Sequence, residues 1–216
     1  MLDELKRIEL YKQLNPNELL PHQFIKLVNE IKNPDPKTIS DERFDFKLWC
    51  NGFPSRQEYF ARYISKRLAG KNCAKILEVG CGRTGILSRM LSEKGYCMTA
   101  IDPKLDLSSN SVKKSNVRFI KNEFSYKTFD LSEYDYVIAQ EPCDATEHIV
   151  RACTTQNVPF IMILCGVPHR LISGEMPKDV EEWYNYLLEI DHEHVVLRYA
   201  EINPVFITPI LKSNKF

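Results

Sequence analysis

The chain has 216 residues, 44% of them hydrophobic and 27% charged, which suits a soluble globular domain with an extension rather than a disordered or membrane-embedded protein. Its 29 basic and 29 acidic residues cancel, which removes the compositional argument for a nucleic-acid partner. No apolar run approaches the ~18 to 20 residues of a membrane span.

The opening stretch "MLDELKRIELYKQLNP" carries charges throughout and lacks the apolar core of a signal peptide. Seven cysteines, at 50, 73, 81, 97, 143, 153 and 165, form no C-x-x-C pair, and several sit inside apolar runs. A cytoplasmic protein with reduced thiols is the expectation.

In chain order, residues 2–14 and 17–32 read as two short helices split at Asn15-Pro16. The second sets Leu20, Phe24, Leu27, Val28 and Ile31 at helical spacing. "NPDPK" at 33–37 then breaks the chain. No strand-like run falls in this region, so residues 1–54 are expected to be a helical extension before a domain at 55–216. Ser55 and Glu58 fit a capping box for the next helix, whose apolar face is Tyr59, Phe60, Tyr63, Ile64 and Leu68, with Gly70 as its stop.

From residue 75 the pattern alternates. Strand-like runs fall at 75–79, 96–101, 117–121, 134–139 and 158–165, with helices expected at 84–94, 105–113 and 144–156. Asp144 and Glu147 predict a cap for the last of these. A further helix at 177–190 would start on Pro177 and bury Trp183, Tyr186, Leu187 and Ile190. "HVVLRYAEI" and "PVFITPILK" close the chain as two strands, and Pro209 is expected to stop the last at Thr208. The pattern predicts an α/β fold: a doubly wound, mostly parallel sheet of seven strands with one late antiparallel strand.

Gly80-Cys81-Gly82-Arg83-Thr84-Gly85 fits G-x-G-x-x-G, follows an apolar strand, and opens a helix whose Ile86, Leu87, Met90 and Leu91 are expected on one buried face. Such a loop lets backbone approach a nucleotide and points free helix N–H groups at it. Glu78, two residues before the first glycine, would repel a pyrophosphate but would compensate a ligand bearing an α-amino group and a sulfonium. Asp102 ends the next strand, where a carboxylate can accept from both ribose hydroxyls. That requirement is shared by NAD and S-adenosylmethionine.

"ILEVGCGRTGILSRML" followed by "AIDP" resembles motifs I and II of class I S-adenosylmethionine-dependent methyltransferases, and the resemblance continues through "VRFIKNEFSYKTFDLSEYDYVIAQEP" to cover roughly 75–212. It implies S-adenosylmethionine as cofactor and S-adenosylhomocysteine as product. It further implies contact from Glu78, Gly80, Cys81, Gly82, Gly85, Asp102, Pro103 and Gln140, with Glu123 against the adenine amino group and Phe124 flanking the ring.

The catalytic signal is thinner. "AQEPCDATEH" departs from the Asn/Asp-Pro-Pro-Tyr pattern of amino methyltransferases acting on bases or glutamine, which disfavours that chemistry. Glu141, Asp144 and His148 are the candidates for substrate contact or proton removal. Beside those roles stand plainer ones: a solvated Glu141, Asp144 as a helix N-cap, and an exposed His148. Cys143 reads as a small filler, and the spacing of Cys143, His148, Cys165 and His169 matches no zinc pattern, so no metal is expected. Arg56 and Tyr59 are further candidates for ligand contact. The reading is a methyltransferase acting on a small-molecule or protein acceptor. Its alternatives are a nicotianamine-synthase-like aminocarboxypropyl transferase and a non-catalytic relative that binds a partner.

Overall fold

The computed structural model describes residues 56–198 and 210–216. The helices expected at 2–14 and 17–32, the 1–54 extension and the Ser55 cap lie outside the described residues, as do the side chains of Arg56 and Tyr59. The elements are α1 (Arg56–Arg67), β1 (Lys75–Val79), α2 (Ile86–Glu93), β2 (Cys97–Ile101), α3 (Asn110–Lys113) and β3 (Arg118–Ile120). They continue with β4 (Tyr136–Gln140), a short 3-10 turn (Cys143–Ala145), α4 (Thr146–Gln156), β5 (Phe160–Ile163), α5 (Val180–Ile190), β6 (Val195–Arg198) and β7 (Ile210–Ser213).

The strands form one sheet in the order β3-β2-β1-β4-β5-β7-β6. β1 to β5 pair in parallel, and β7 runs antiparallel between β5 and β6. Chain order reverses at β1, which lies between β2 and β4; that switch point opens a crevice at the carboxyl ends of the strands. Both faces are covered. Ile76 and Ile138 join Phe60, Ile64, Leu87 and Leu91 in one apolar cluster, while Leu77, Val79 and Val137 join Ile149, Phe160 and Trp183 in the other. Two-sided burial explains why these strands read as continuous apolar runs.

Several boundaries differ from expectation for local reasons. β2 starts at Cys97 because the Tyr96 amide donates back to Leu91 O at the end of α2, and β4 starts at Tyr136 because Tyr134 N–H closes a turn onto Leu131 O. Only Asn110–Lys113 of the 105–113 run is helical, since Asp106 gathers the amide and hydroxyl of Ser108 into a turn. α5 starts at Val180, not Pro177: Asp179 Oδ1 accepts from Glu182 N–H at 2.9 Å, and Glu182 Oε2 accepts from Lys178 N–H at 2.8 Å. β7 is described over Ile210–Ser213; Thr208 and Pro209, where the last strand was expected to stop, lie outside the described residues. In α2, Leu87, Leu91 and Ser88 are buried while Ile86 is 40% exposed, so Ser88 takes the inward position expected of Ile86.

Gly85 caps α2 in the left-handed region at φ 55°, and a Cβ there would fall 2.5 Å from Phe119 Cε1. Gly82 shares the positive φ, at 69°, but a Cβ there meets nothing within 4 Å. Gly85→Ala should therefore lower stability by about 3 kcal/mol, combining dihedral strain with overpacking, whereas Gly82→Ala should cost about 1 kcal/mol from the dihedral alone. Urea denaturation of both variants checks the contrast.

Candidate functional site

The glycine turn leaves β1 at the switch point. Gly80 N–H donates to Ile101 O of β2 at 2.9 Å, and a Cβ on Gly80 would lie 3.1 Å from Pro142 Cα in the loop after β4. Two neighbouring segments thus close on the turn so tightly that only backbone fits between them. Cys81 is buried, and burial with the Glu78 and Asp102 carboxylates pushes its thiol far up, which keeps it protonated.

Glu78 and Asp102 stand on either side of this turn. Glu78 is 3% exposed, and its Oε2 accepts from both the amide (2.9 Å) and the hydroxyl of Ser88 in the first turn of α2. That amide is one of the donors a helix start leaves unpaired, so a strand carboxylate does the work of a cap. Burial pushes the Glu78 carboxyl up to about 7; the Ser88 bonds oppose the rise and the Asp102 charge adds to it. Sequence reasoning missed Ser88, whose only signal was a polar residue on an otherwise apolar helix face. Asp102 is 9% exposed and spans the turn: Oδ2 accepts from Gly82 N–H at 2.8 Å and Oδ1 from Lys104 N–H at 2.7 Å. Each oxygen retains a second lone pair for a ligand hydroxyl. Pro103 lies exposed beside it.

The other candidates divide between rim and core. Glu123 is exposed at the carboxyl end of β3. Phe124 is buried, packed on Phe129 with ring centroids 5.1 Å apart. Gln140 ends β4, directly across from Ile163 of β5, and its Oε1 is buried without a hydrogen-bond partner. An orphaned acceptor at a strand's carboxyl edge marks a place where a donor belongs. Glu141 follows at φ 53°, its amide donating to Ile163 O at 2.9 Å.

Asp144 and His148 do not take the plainer roles read from sequence, a helix N-cap and an exposed ring. The N-terminal residue of α4 is flanked by Ala145, which makes no side-chain cap bond. Asp144 instead reaches across to the loop after β5, with Oδ1 accepting from His169 N–H at 2.8 Å and Oδ2 from Arg170 Nε at 3.2 Å. Partial burial works against its ionisation, but these partners outweigh it and hold the carboxyl below its ordinary value. These bonds fasten the loop after β5 to the start of α4. Glu147, expected to complete the cap, is buried: Oε2 accepts from Ile172 N–H at 2.8 Å, and Oε1 from Tyr186 OH at 2.6 Å and Arg151 Nε at 2.8 Å. His148 is half-buried rather than exposed. Its Nδ1 accepts from Tyr126 N–H at 3.3 Å, and burial lowers its pKa, so the neutral ring carries its proton on Nε2. Among the described residues, no three His, Cys, Asp or Glu side chains converge as a metal site, and no helix is long and apolar enough to cross a membrane.

Two outcomes follow from these carboxylates. With Glu78 near 7 in the fold and near 4.5 unfolded, the unfolded chain releases its proton first. Stability should fall as pH rises from about 4.5 to about 7, by on the order of 3 kcal/mol, and level off above. Glu78→Gln should remove that slope and be the more stable form at pH 8, as read by urea midpoints across pH. Glu147→Ala should cost about 3 kcal/mol, because three half-buried donors lose a buried acceptor, while Asp144→Ala, with an exposed arginine partner, should cost no more than about 1 kcal/mol. Thermal or urea unfolding of the two variants checks the ranking.

No family model matches the chain, and no curated protein matches it. Among solved structures, it is similar to a TehB-like SAM-dependent methyltransferase from Corynebacterium glutamicum, at 18% identity over 90% of this chain and 97% of that one, TM-score 0.45. It is similar to magnesium protoporphyrin IX methyltransferase from Synechocystis PCC 6803 with bound SAH, at 14% identity over 81% and 89%, TM-score 0.47. It is also similar to the Pyrococcus abyssi tRNA (uracil-54, C5)-methyltransferase in complex with S-adenosyl-L-homocysteine, at 14% identity over 73% of this chain, TM-score 0.47; the chain spans 37% of that protein's length. The seven-stranded sheet, parallel but for its inserted β7, has the doubly wound α/β architecture expected from the sequence.

Proposed function

We propose that the chain is an S-adenosylmethionine-dependent methyltransferase acting on a small-molecule or protein acceptor, with the binding domain at 55–216 and a helical extension at 1–54. The observation that carries this reading is the buried, unpartnered Gln140 Oε1 at the end of β4, the strand paired with β1. A ligand with an ammonium group supplies the missing donor, and Glu78 on the neighbouring strand supplies the opposite charge. A pyrophosphate supplies neither and would meet two carboxylates.

Asp102 would take the ribose hydroxyls, and Glu123 the adenine edge at the end of β3. Phe124, being core, supports that end from beneath. When bound, S-adenosylmethionine supplies an electrophilic methyl group to an acceptor nucleophile. The protein's part is to orient the cofactor, exclude water, and place acceptor groups at the carboxyl ends of β4 and β5. Glu141, Asp144 and His148 are the candidates there for substrate contact or proton removal, with Asp144 already bonded to His169 and Arg170.

Calorimetric titration with S-adenosylmethionine, S-adenosylhomocysteine and NAD tests the assignment. The sulfonium compound and its product should bind and NAD should not; the reverse would sink it. Asp102→Ala should weaken binding by about 1.5 to 3 kcal/mol, or roughly 10- to 150-fold, through lost charge-assisted hydrogen bonds. Binding a cation favours ionised Glu78, so affinity for S-adenosylmethionine should rise with pH up to about 7, with a proton released on binding below that pH. Repeating the titration in buffers of different ionisation heat measures that proton directly.

A further inference from the structure

A pair of thiols stands on the rim of the same crevice. Gln140 and Ile163 are register partners, and Glu141 N–H donates to Ile163 O, so the chain leaves β4 and β5 side by side. Cys143 lies three residues past Gln140 and Cys165 two past Ile163. The Cys165 thiol lies against the backbone amide and the thiol of Cys143, and burial pushes it up to about 12. Cys143 is exposed and Cys165 half-buried, so one sulfur meets solutes while the other waits behind it. Tyr184 OH donates to Cys165 O at 3.5 Å, which ties that residue to α5. The loop carrying Cys143 is the strained partner: Glu141 and Cys143 hold φ 53° and 51° on either side of Pro142. Pro142 is the residue whose Cα lies 3.1 Å from a Cβ placed on Gly80.

We propose that Cys143 and Cys165 form an oxidisable dithiol whose disulfide weakens cofactor binding at the neighbouring glycine turn; the second half rests on the proposed function. Hydrogen peroxide is the oxidant. The Cys143 sulfur attacks one peroxide oxygen, the O–O bond breaks, and a sulfenic acid and one water result. The Cys165 sulfur then attacks the sulfenic sulfur. The S–S bond forms, the S–O bond breaks, and the departing hydroxide leaves as a second water with the Cys165 proton. Two thiols are oxidised and one peroxide is reduced to two waters. A bond of about 2.0 Å requires the two sulfurs to close up, and Cys143 sits in the loop that packs Pro142 against Gly80. Its movement displaces Pro142 from Gly80 and shifts Gln140 and Glu141 with it.

The experiment treats the full chain with hydrogen peroxide, maps peptides without reduction, and titrates S-adenosylhomocysteine before and after. A Cys143–Cys165 linkage is expected, with affinity falling at least about tenfold and recovering in dithiothreitol. Cys143→Ser and Cys165→Ser should each bind as the reduced protein does and keep that affinity in peroxide. Absence of the linkage, a linkage that leaves affinity unchanged, or serine variants that lose affinity in peroxide as the parent does would each overturn the proposal. Should the reduced chain bind no S-adenosylhomocysteine, the proposed function falls and the switch with it, while the peptide map still decides the disulfide.

Discussion

The crevice depends on one buried carboxylate, that of Glu78, which joins the end of β1 to the start of α2 through Ser88. Taking a carboxylate out of water is costly, and the two Ser88 bonds offset only part of that cost; the remainder is what raises its protonation range to about 7. A glutamine could accept from the same amide without the charge penalty, so stability of the unliganded fold does not account for the acid. Under the proposed function, what the acid adds is a charge that appears when a cationic ligand arrives. Asp102, on the far side of the turn, strengthens that bias by disfavouring a second negative charge nearby.

The turn between these acids admits little variation. Phe119 on one side and Pro142 on the other approach to within the radius of a methyl group, and Gly80, Gly82 and Gly85 all hold positive φ. Because such constraints are carried by residue identity over six consecutive positions, this half of the site was legible in the sequence. So were the strands around it, whose apolar runs record burial on both faces. Glu78 and Asp102 were legible as charges at strand ends, though not as the fastenings they also prove to be.

What escaped the sequence is non-local. Asp144 and Glu147 have the spacing of a capping box, but apart from Arg151 on α4 their partners lie 25 to 39 residues away, in the loop after β5 and on α5. A local pattern could not anticipate that the loop amides of His169 and Ile172 would take those oxygens first. His148 was read as exposed for the same reason, since its partner Tyr126 belongs to the segment after β3. Conversely, the genuine cap at Asp179 and Glu182 went unread because Pro177 offered a more familiar start.

The two halves of the crevice are thus built by different means. On the side proposed to hold the cofactor, close packing leaves no room for a side chain at Gly80 and Gly85, and a positive φ disfavours one at Gly82. On the side proposed to receive the acceptor, side-chain hydrogen bonds fasten a loop through its backbone: the Asp144 and Glu147 oxygens accept from the His169 and Ile172 amides, which almost any residue can supply. The side chains at 169–172 can then change without loss of the fastening, apart from the Arg170 contact. Under the proposed function, such a sequence writes its cofactor contacts into the glycine turn and leaves the acceptor unwritten, because the loop at 169–172 is fastened through its backbone amides rather than its side chains.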